Sequence, residues 1–166
     1  MKIVILGMGN TLLSDDGIGI VIANKLHDIY EENEFVDVRE TSWGGFRIID
    51  LLSGYDSAIV IDAIKTGEQP VGTIQRSTPS DFVHSVRMTA FHDINFATAL
   101  EFARQLGIPM PKDISIYTIE VEETERICEN LTHSVRSAVE QCINEIKKEV
   151  NARIKSKKMT YAEETV

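Results

Sequence analysis

The 166-residue chain carries 26 acidic and 17 basic side chains, a net charge of −9, with 43% hydrophobic and 26% charged residues. That acid surplus excludes a broad phosphate-binding face, because nucleic-acid binders need a basic footprint, and no apolar run reaches the roughly 18–20 residues of a membrane span. The length fits one ordinary domain that buries about two-thirds of its unfolded surface, and an acidic surface leaves room for a cationic partner, either a metal ion or a basic peptide.

The start, "MKIVILG", is one lysine and a short apolar run followed at once by Gly, Asn and two Asp. It reads as a buried first strand over Lys2–Leu6 rather than an export signal. A helix is expected from Asp16 or Gly17 to about Glu31, with Ile18, Val21, Ile22, Leu26 and Ile29 as its buried stripe. Phe35–Thr41 alternates as a second strand, Trp43-Gly44-Gly45 is a turn, and Phe46–Leu52 a helix. Ser57–Asp62 ("SAIVID") is a third strand closing on a carboxylate, and Val71–Ser77 a short fourth. One helical turn is expected at Pro79–His84 and a helix over Asp93–Leu106, its apolar positions including Ile94, Ala97, Leu100, Phe102 and Ala103. Ile114–Glu120 is the last strand. Leu131–Ile154 is a long helix with the stripe Val135, Ala138, Val139, Cys142, Ile143 and Ile146. Strands alternating with helices predict an α/β three-layer sandwich: a twisted, mostly parallel sheet of about five strands with helices on both faces. Residues 1–155 form the expected single domain, and the polar end, 156–166, a flexible tail. Cys128 and Cys142 lack CxxC spacing and read as reduced thiols of a cytoplasmic protein.

The loop after the first strand carries the chemistry. Gly7 and Gly9 start a dinucleotide fingerprint, but its third glycine would fall at Leu12. Asp15 and Asp16 stand where pyrophosphate would sit at a helix start, and they would repel it by several kcal/mol in a partly desolvated site, on the order of a short-range charge pair. Either Asp could cap the following helix, but one satisfies that need, which makes the second informative. In a doubly wound sheet, strands one and three are often neighbours and ligands bind beyond their carboxyl ends. Asp16 and Asp62 would then share one crevice. His92, in "MTAFHDINFATAL", precedes a helix that can fold over the same crevice. His27 and His133 read as helix-surface residues, and His84 lies in a polar segment. Two carboxylates and one imidazole make an incomplete shell for a borderline divalent ion such as nickel or zinc. No G-x-S-x-G, HExxH or P-loop lysine occurs, and Cys142 falls on a core stripe.

With these segments together, the chain resembles the [NiFe]-hydrogenase maturation endopeptidase family. "GMGNTLLSDDGIG" matches every fixed position of that family's G-x-G-N-x-L-x-x-D-[DE]-x-x-G, Asp62 in "VIDAI" matches its strand-ending acid, and His92 in "AFHDINFATAL" its helix-starting histidine, over about residues 1–147. The resemblance implies an endopeptidase that removes the C-terminal extension of a hydrogenase large-subunit precursor after nickel insertion. It implies that Asp16, Asp62 and His92 contact nickel carried by the precursor, so that the isolated protein holds none; charge and hydropathy point to no nucleic acid or membrane as partner. Nickel would serve either as Lewis acid or as recognition handle; in the latter case Asp15 or Asp16 is a candidate base. Asp16 stands where many members have Glu, and "ETSWGGFR" places Glu40 and Trp43 in a turn that is often Asp-Gly-Gly-rich, which bears on specificity more than on the reaction. The rival reading is a metal- or nucleotide-binding carrier without hydrolytic activity.

Overall fold

The computed structural model describes residues 2–81 and 96–163, with side chains for all of them except 97 and 157–163. Five strands, β1 (Ile3–Met8), β2 (Val36–Thr41), β3 (Ser57–Ile64), β4 (Ile74–Ser77) and β5 (Asp113–Glu120), form one sheet in the order β2-β1-β3-β5-β4. All neighbouring pairs are parallel except β4 with β5. The helices are α1 (Ile18–Tyr30), α2 (Arg47–Leu52), α3 (Phe96–Gln105) and α4 (His133–Glu163).

Because successive strand residues point to opposite faces, a continuous apolar run such as β1 serves two cores. Ile3 and Ile5 pack with Ile18, Ile22 and Leu26 of α1 and with Val135, Val139, Cys142 and Ile146 of α4. Val4 and Leu6 face Ile48 and Leu52 of α2 and Phe96 of α3. The result is the three-layer sandwich expected from the sequence, with α1 and α4 on one face and α2 and α3 on the other. Among the described residues, no helix is long and apolar enough to cross a membrane.

Several boundaries differ from expectation. α1 buries Ile20, Ala23 and Tyr30, while Val21 is only half-buried and Ile29 is 46% exposed. The stripe is rotated because the helix packs beneath β1 and β2 as well as against α4. Phe102, assigned to an apolar stripe, is 41% exposed and lies against Phe46 with ring centroids 4.7 Å apart. Residues 71–73 form a turn rather than the start of β4, with Gly72 at φ +89° donating its N–H to the Glu120 carbonyl. α4 starts at His133 and its backbone continues to Glu163, past the Ile154 where the apolar stripe ends. Of the helical turn expected at 79–84 and the helix expected from Asp93, residues 82–95 lie outside the described residues.

β3 runs two residues further than expected. Its pairing with β1 stops at Gly7↔Ile61, whereas its pairing with β5 continues through Asp62↔Thr118 to Ile64↔Glu120. Asp62 is therefore the first β3 residue past the point where β1 turns away, at the boundary where the chain's crossovers diverge to opposite faces.

Candidate active site

The loop from β1 to α1 is shaped by close backbone approach. A Cβ on Gly19 would meet the Met8 carbonyl oxygen at 2.2 Å and the Ile61 carbonyl oxygen at 2.5 Å, so only glycine lets α1 begin directly over the ends of β1 and β3. Gly9 has φ +139°, and a Cβ there would lie 1.9 Å from the Asp16 carbonyl oxygen. These glycines thus serve helix–strand contact and the placement of Asp16, which is the steric work that a phosphate loop also asks of glycine. Gly19→Ala is expected to force α1 off the sheet and to cost more than about 3 kcal/mol, the scale of severe overpacking. Thermal unfolding of the variant checks this, and a melting temperature within a degree of the parent would refute the contact.

One turn of 3-10 helix, Ser14–Gly17, carries both acids, and it separates their roles. Neither caps α1, whose N-cap is Gly17 without a side-chain bond. Asp15 is fully buried, and its carboxylate accepts bonds from the Thr132 N–H at 2.7 Å, the Thr132 hydroxyl at 3.1 Å and the Glu123 N–H at 3.2 Å. Three donors occupy this carboxylate in tying the loop to the start of α4, which removes it as a candidate base. Ser14, the described non-glycine residue with positive φ (52°), donates its hydroxyl to the Asn130 carbonyl at 3.0 Å.

Asp16 is half-buried; burial raises its pKa above the usual carboxylate range, opposed by a hydrogen bond from the Asn10 backbone. Asp62 is pushed up to about 7, first by burial and further by the negative charge of Asp16, against a bond from the Ala63 N–H. That bond measures 2.8 Å. The negative charge of Asp16 thus bears on Asp62, as the smallest of the three influences on that carboxyl. An acid in partly desolvated surroundings is disfavoured in its charged form by a neighbouring acid, and a nearby cation offsets that. His92 lies outside the described residues. Among the described residues no group of three or more His, Cys, Asp or Glu is poised to hold a metal ion.

Sequence reasoning passed over Glu120, which is 2% exposed at the end of β5. Its carboxylate accepts from the Thr66 N–H, the Thr66 hydroxyl and the Gly67 N–H, each at 2.7 Å. It thereby pins the loop leaving β3 just past Asp62. The available signal was an acid ending an apolar strand, as at Asp62. Trp43 is 68% exposed on a turn bracketed by the Thr41 hydroxyl, which accepts from the Trp43 N–H at 3.0 Å and donates to the Trp43 carbonyl at 3.1 Å. Glu40 is exposed on the sheet's edge. A hollow of about 350 Å³ between α1 and β2 includes His27, Tyr30 and Arg39 in its lining, but neither Asp16 nor Asp62.

A family model described as hydrogenase maturation protease (HycI) matches residues 20–149. The hydrogenase 2 maturation protease of Escherichia coli K12 is 25% identical over 150 residues, 88% of each chain. The hydrogenase expression/formation protein HoxM of Azotobacter vinelandii is 27% identical over 145 residues, covering 86% of this chain and 69% of that protein. In three dimensions the E. coli hydrogenase maturating endopeptidase HybD superposes with a TM-score of 0.75 at 24% identity, over 92% of this chain and 94% of that one.

Proposed function

The chain belongs to the hydrogenase maturation protease family, and from that premise we propose that it removes the C-terminal extension of a [NiFe]-hydrogenase large-subunit precursor once nickel has been inserted. The nickel arrives as part of the substrate. Asp16 and Asp62 contact it from the crevice beyond β1 and β3, and His92 supplies the third contact. The observation that supports this reading best is the raised, largely desolvated carboxyl of Asp62 just past the end of its pairing with β1, on which the charge of Asp16 bears and which a substrate-borne cation would favour in its charged form.

In this mechanism the three side chains dock on the metal, and docking places the scissile bond against the crevice, so that orientation supplies much of the rate. Water attack on the carbonyl then requires a proton acceptor. A carboxylate oxygen that the metal leaves unengaged is the acceptor these side chains offer. The proton taken from water passes to the leaving amine as the C–N bond breaks, which releases the extension and leaves a new C-terminal carboxylate on the large subunit.

Purified protein incubated with nickel-loaded and nickel-free precursor is expected to cleave only the former; equal cleavage of both would refute nickel gating. Asp16→Asn and His92→Ala are each expected to abolish processing while circular dichroism stays native. A carrier without hydrolytic activity would instead bind free nickel or nucleotide tightly and leave the precursor at its original mass.

A further inference from the structure

A rigid apolar rim adjoins the Asp16 loop. The segment that follows β5 is welded to that loop by backbone pairing. The Cys128 N–H donates to the Leu12 carbonyl at 3.0 Å, the Ser14 N–H to the Cys128 carbonyl at 2.7 Å, and the Asp15 N–H to the Glu123 carbonyl at 3.0 Å. The Asp15 carboxylate closes the weld through Thr132 and Glu123. Glu123 also braces its own loop by accepting from the N–H groups of Glu125 and Arg126 at 3.0 and 3.1 Å. On this doubly braced ridge two large aliphatic side chains face outward beside each other: Leu12 is 54% exposed and Ile127 is 86% exposed. Exposed aliphatics on a mobile loop can collapse inward, but these are held out by the ladder beneath them. Glu122, Glu125 and Glu129 are exposed on the same segment with Arg126, an excess of negative charge around an apolar centre.

We infer that the Leu12–Ile127 rim is the docking surface for the precursor segment beside the scissile bond. The segment would be an extended peptide presenting an apolar side chain to Leu12 and Ile127 and basic side chains to Glu122, Glu125 and Glu129. The assignment rests on the endopeptidase reading above. It follows from charge complementarity and from the place of Leu12 on the same loop as Asp16, to which the Ile127 segment is hydrogen-bonded. The rim contributes binding shared by ground and transition states, which is felt in KM rather than kcat.

The test uses the full chain and nickel-loaded precursor. Leu12→Ser/Ile127→Ser is expected to raise KM about tenfold, the scale of two lost partly buried aliphatic contacts, with kcat unchanged. Ile29→Ser and Leu106→Ser, which alter exposed aliphatics elsewhere, are expected to leave KM at the parent value. Raising salt is expected to raise the parent's KM, and Glu125→Gln/Glu129→Gln to flatten that dependence. Cys128 is part-exposed on the rim while Cys142 is buried, so saturating precursor is expected to slow alkylation of the native protein at Cys128. Unchanged KM in the double variant, a fall in kcat at unchanged KM, or alkylation indifferent to precursor would each overturn the rim. Parent protein that fails to cleave nickel-loaded precursor would instead overturn the endopeptidase reading.

Discussion

Asp62→Asn is expected to lower processing of nickel-loaded precursor by a factor on the order of a hundred or more and, at the same time, to make the protein more stable at neutral pH. The two effects share one cause. The carboxyl is held at about 7 in the fold against 3.8 ordinarily, chiefly by burial, with Asp16 adding repulsion. Between those pH values the folded chain retains a proton that the unfolded chain has lost, so the residue's contribution to stability falls as pH rises through that window. Full desolvation would correspond to about 4 kcal/mol. Because Asp62 keeps partial exposure, screening reduces the expected gain for Asn to about 1–2 kcal/mol, or roughly 5 °C in melting temperature. The gain over the parent is expected to be small at pH 4 and largest near pH 8. An Asn variant that unfolds earlier than the parent at pH 8, or that still processes precursor at the parent's rate, would contradict the assignment. A group that costs stability and yet stands in the crevice is what a stability–function trade-off looks like at residue level.

Glu149→Ala is expected to do the opposite: leave the crevice geometry intact but cost about 3–5 kcal/mol, the scale of removing one partner from a buried ion pair. Glu149 sits on α4 beneath β5. Its carboxylate accepts from the Arg76 Nε at 2.7 Å and from the Ser115 and Tyr117 hydroxyls at 2.6 Å, and it pairs with Arg153 one helical turn on. Arg153, 8% exposed, also donates to the Ser57 hydroxyl, the Ala58 carbonyl at 3.2 Å and the Ser115 hydroxyl at 2.8 Å. Burial alone would raise the Glu149 carboxyl. The bonds from Arg76, Ser115 and Tyr117 and the charge of Arg153 override it and hold the group at about 2, against 4.5 ordinarily. Here the sign is reversed from Asp62: the contribution is fully present above about pH 4.5 and is lost as pH falls toward 2. The melting-temperature gap between parent and Glu149→Ala is therefore expected to be about 10 °C at pH 7 and to close in acid. Removing Arg153 together with Glu149 is expected to cost less than the sum of the single changes. Strict additivity would show that the two do not act as a unit.

The layers were legible because they follow from local periodicity. Unbroken apolar runs at β1 and β3 announced strands covered on both faces, and the spacing of Val135, Val139, Cys142 and Ile146 announced a helix with one buried face. Cys142 is in the core, its thiol pushed up to about 12 by burial. Where a residue's surroundings depend on packing angle, periodicity misled: Ile29 and Phe102 fit their stripes and are exposed, because the helices are rotated by what they rest on.

The glycine–Asn–acid loop, its place after a first buried strand and its likeness to the hydrogenase maturation protease family were determined by sequence alone, since each depends on residues a few positions apart. Asp16 was singled out from the sequence; that its neighbour Asp15 is tied up elsewhere was decided by tertiary structure. Asp15 is turned inward by a Thr132 donor 117 residues away, and the charge of Asp16 bears on a residue of another strand. The same holds for Glu149, whose partner Arg76 lies 73 residues distant. A carboxylate's charge state and availability are set by the donors and charges around it, and those are assembled only when the sheet closes.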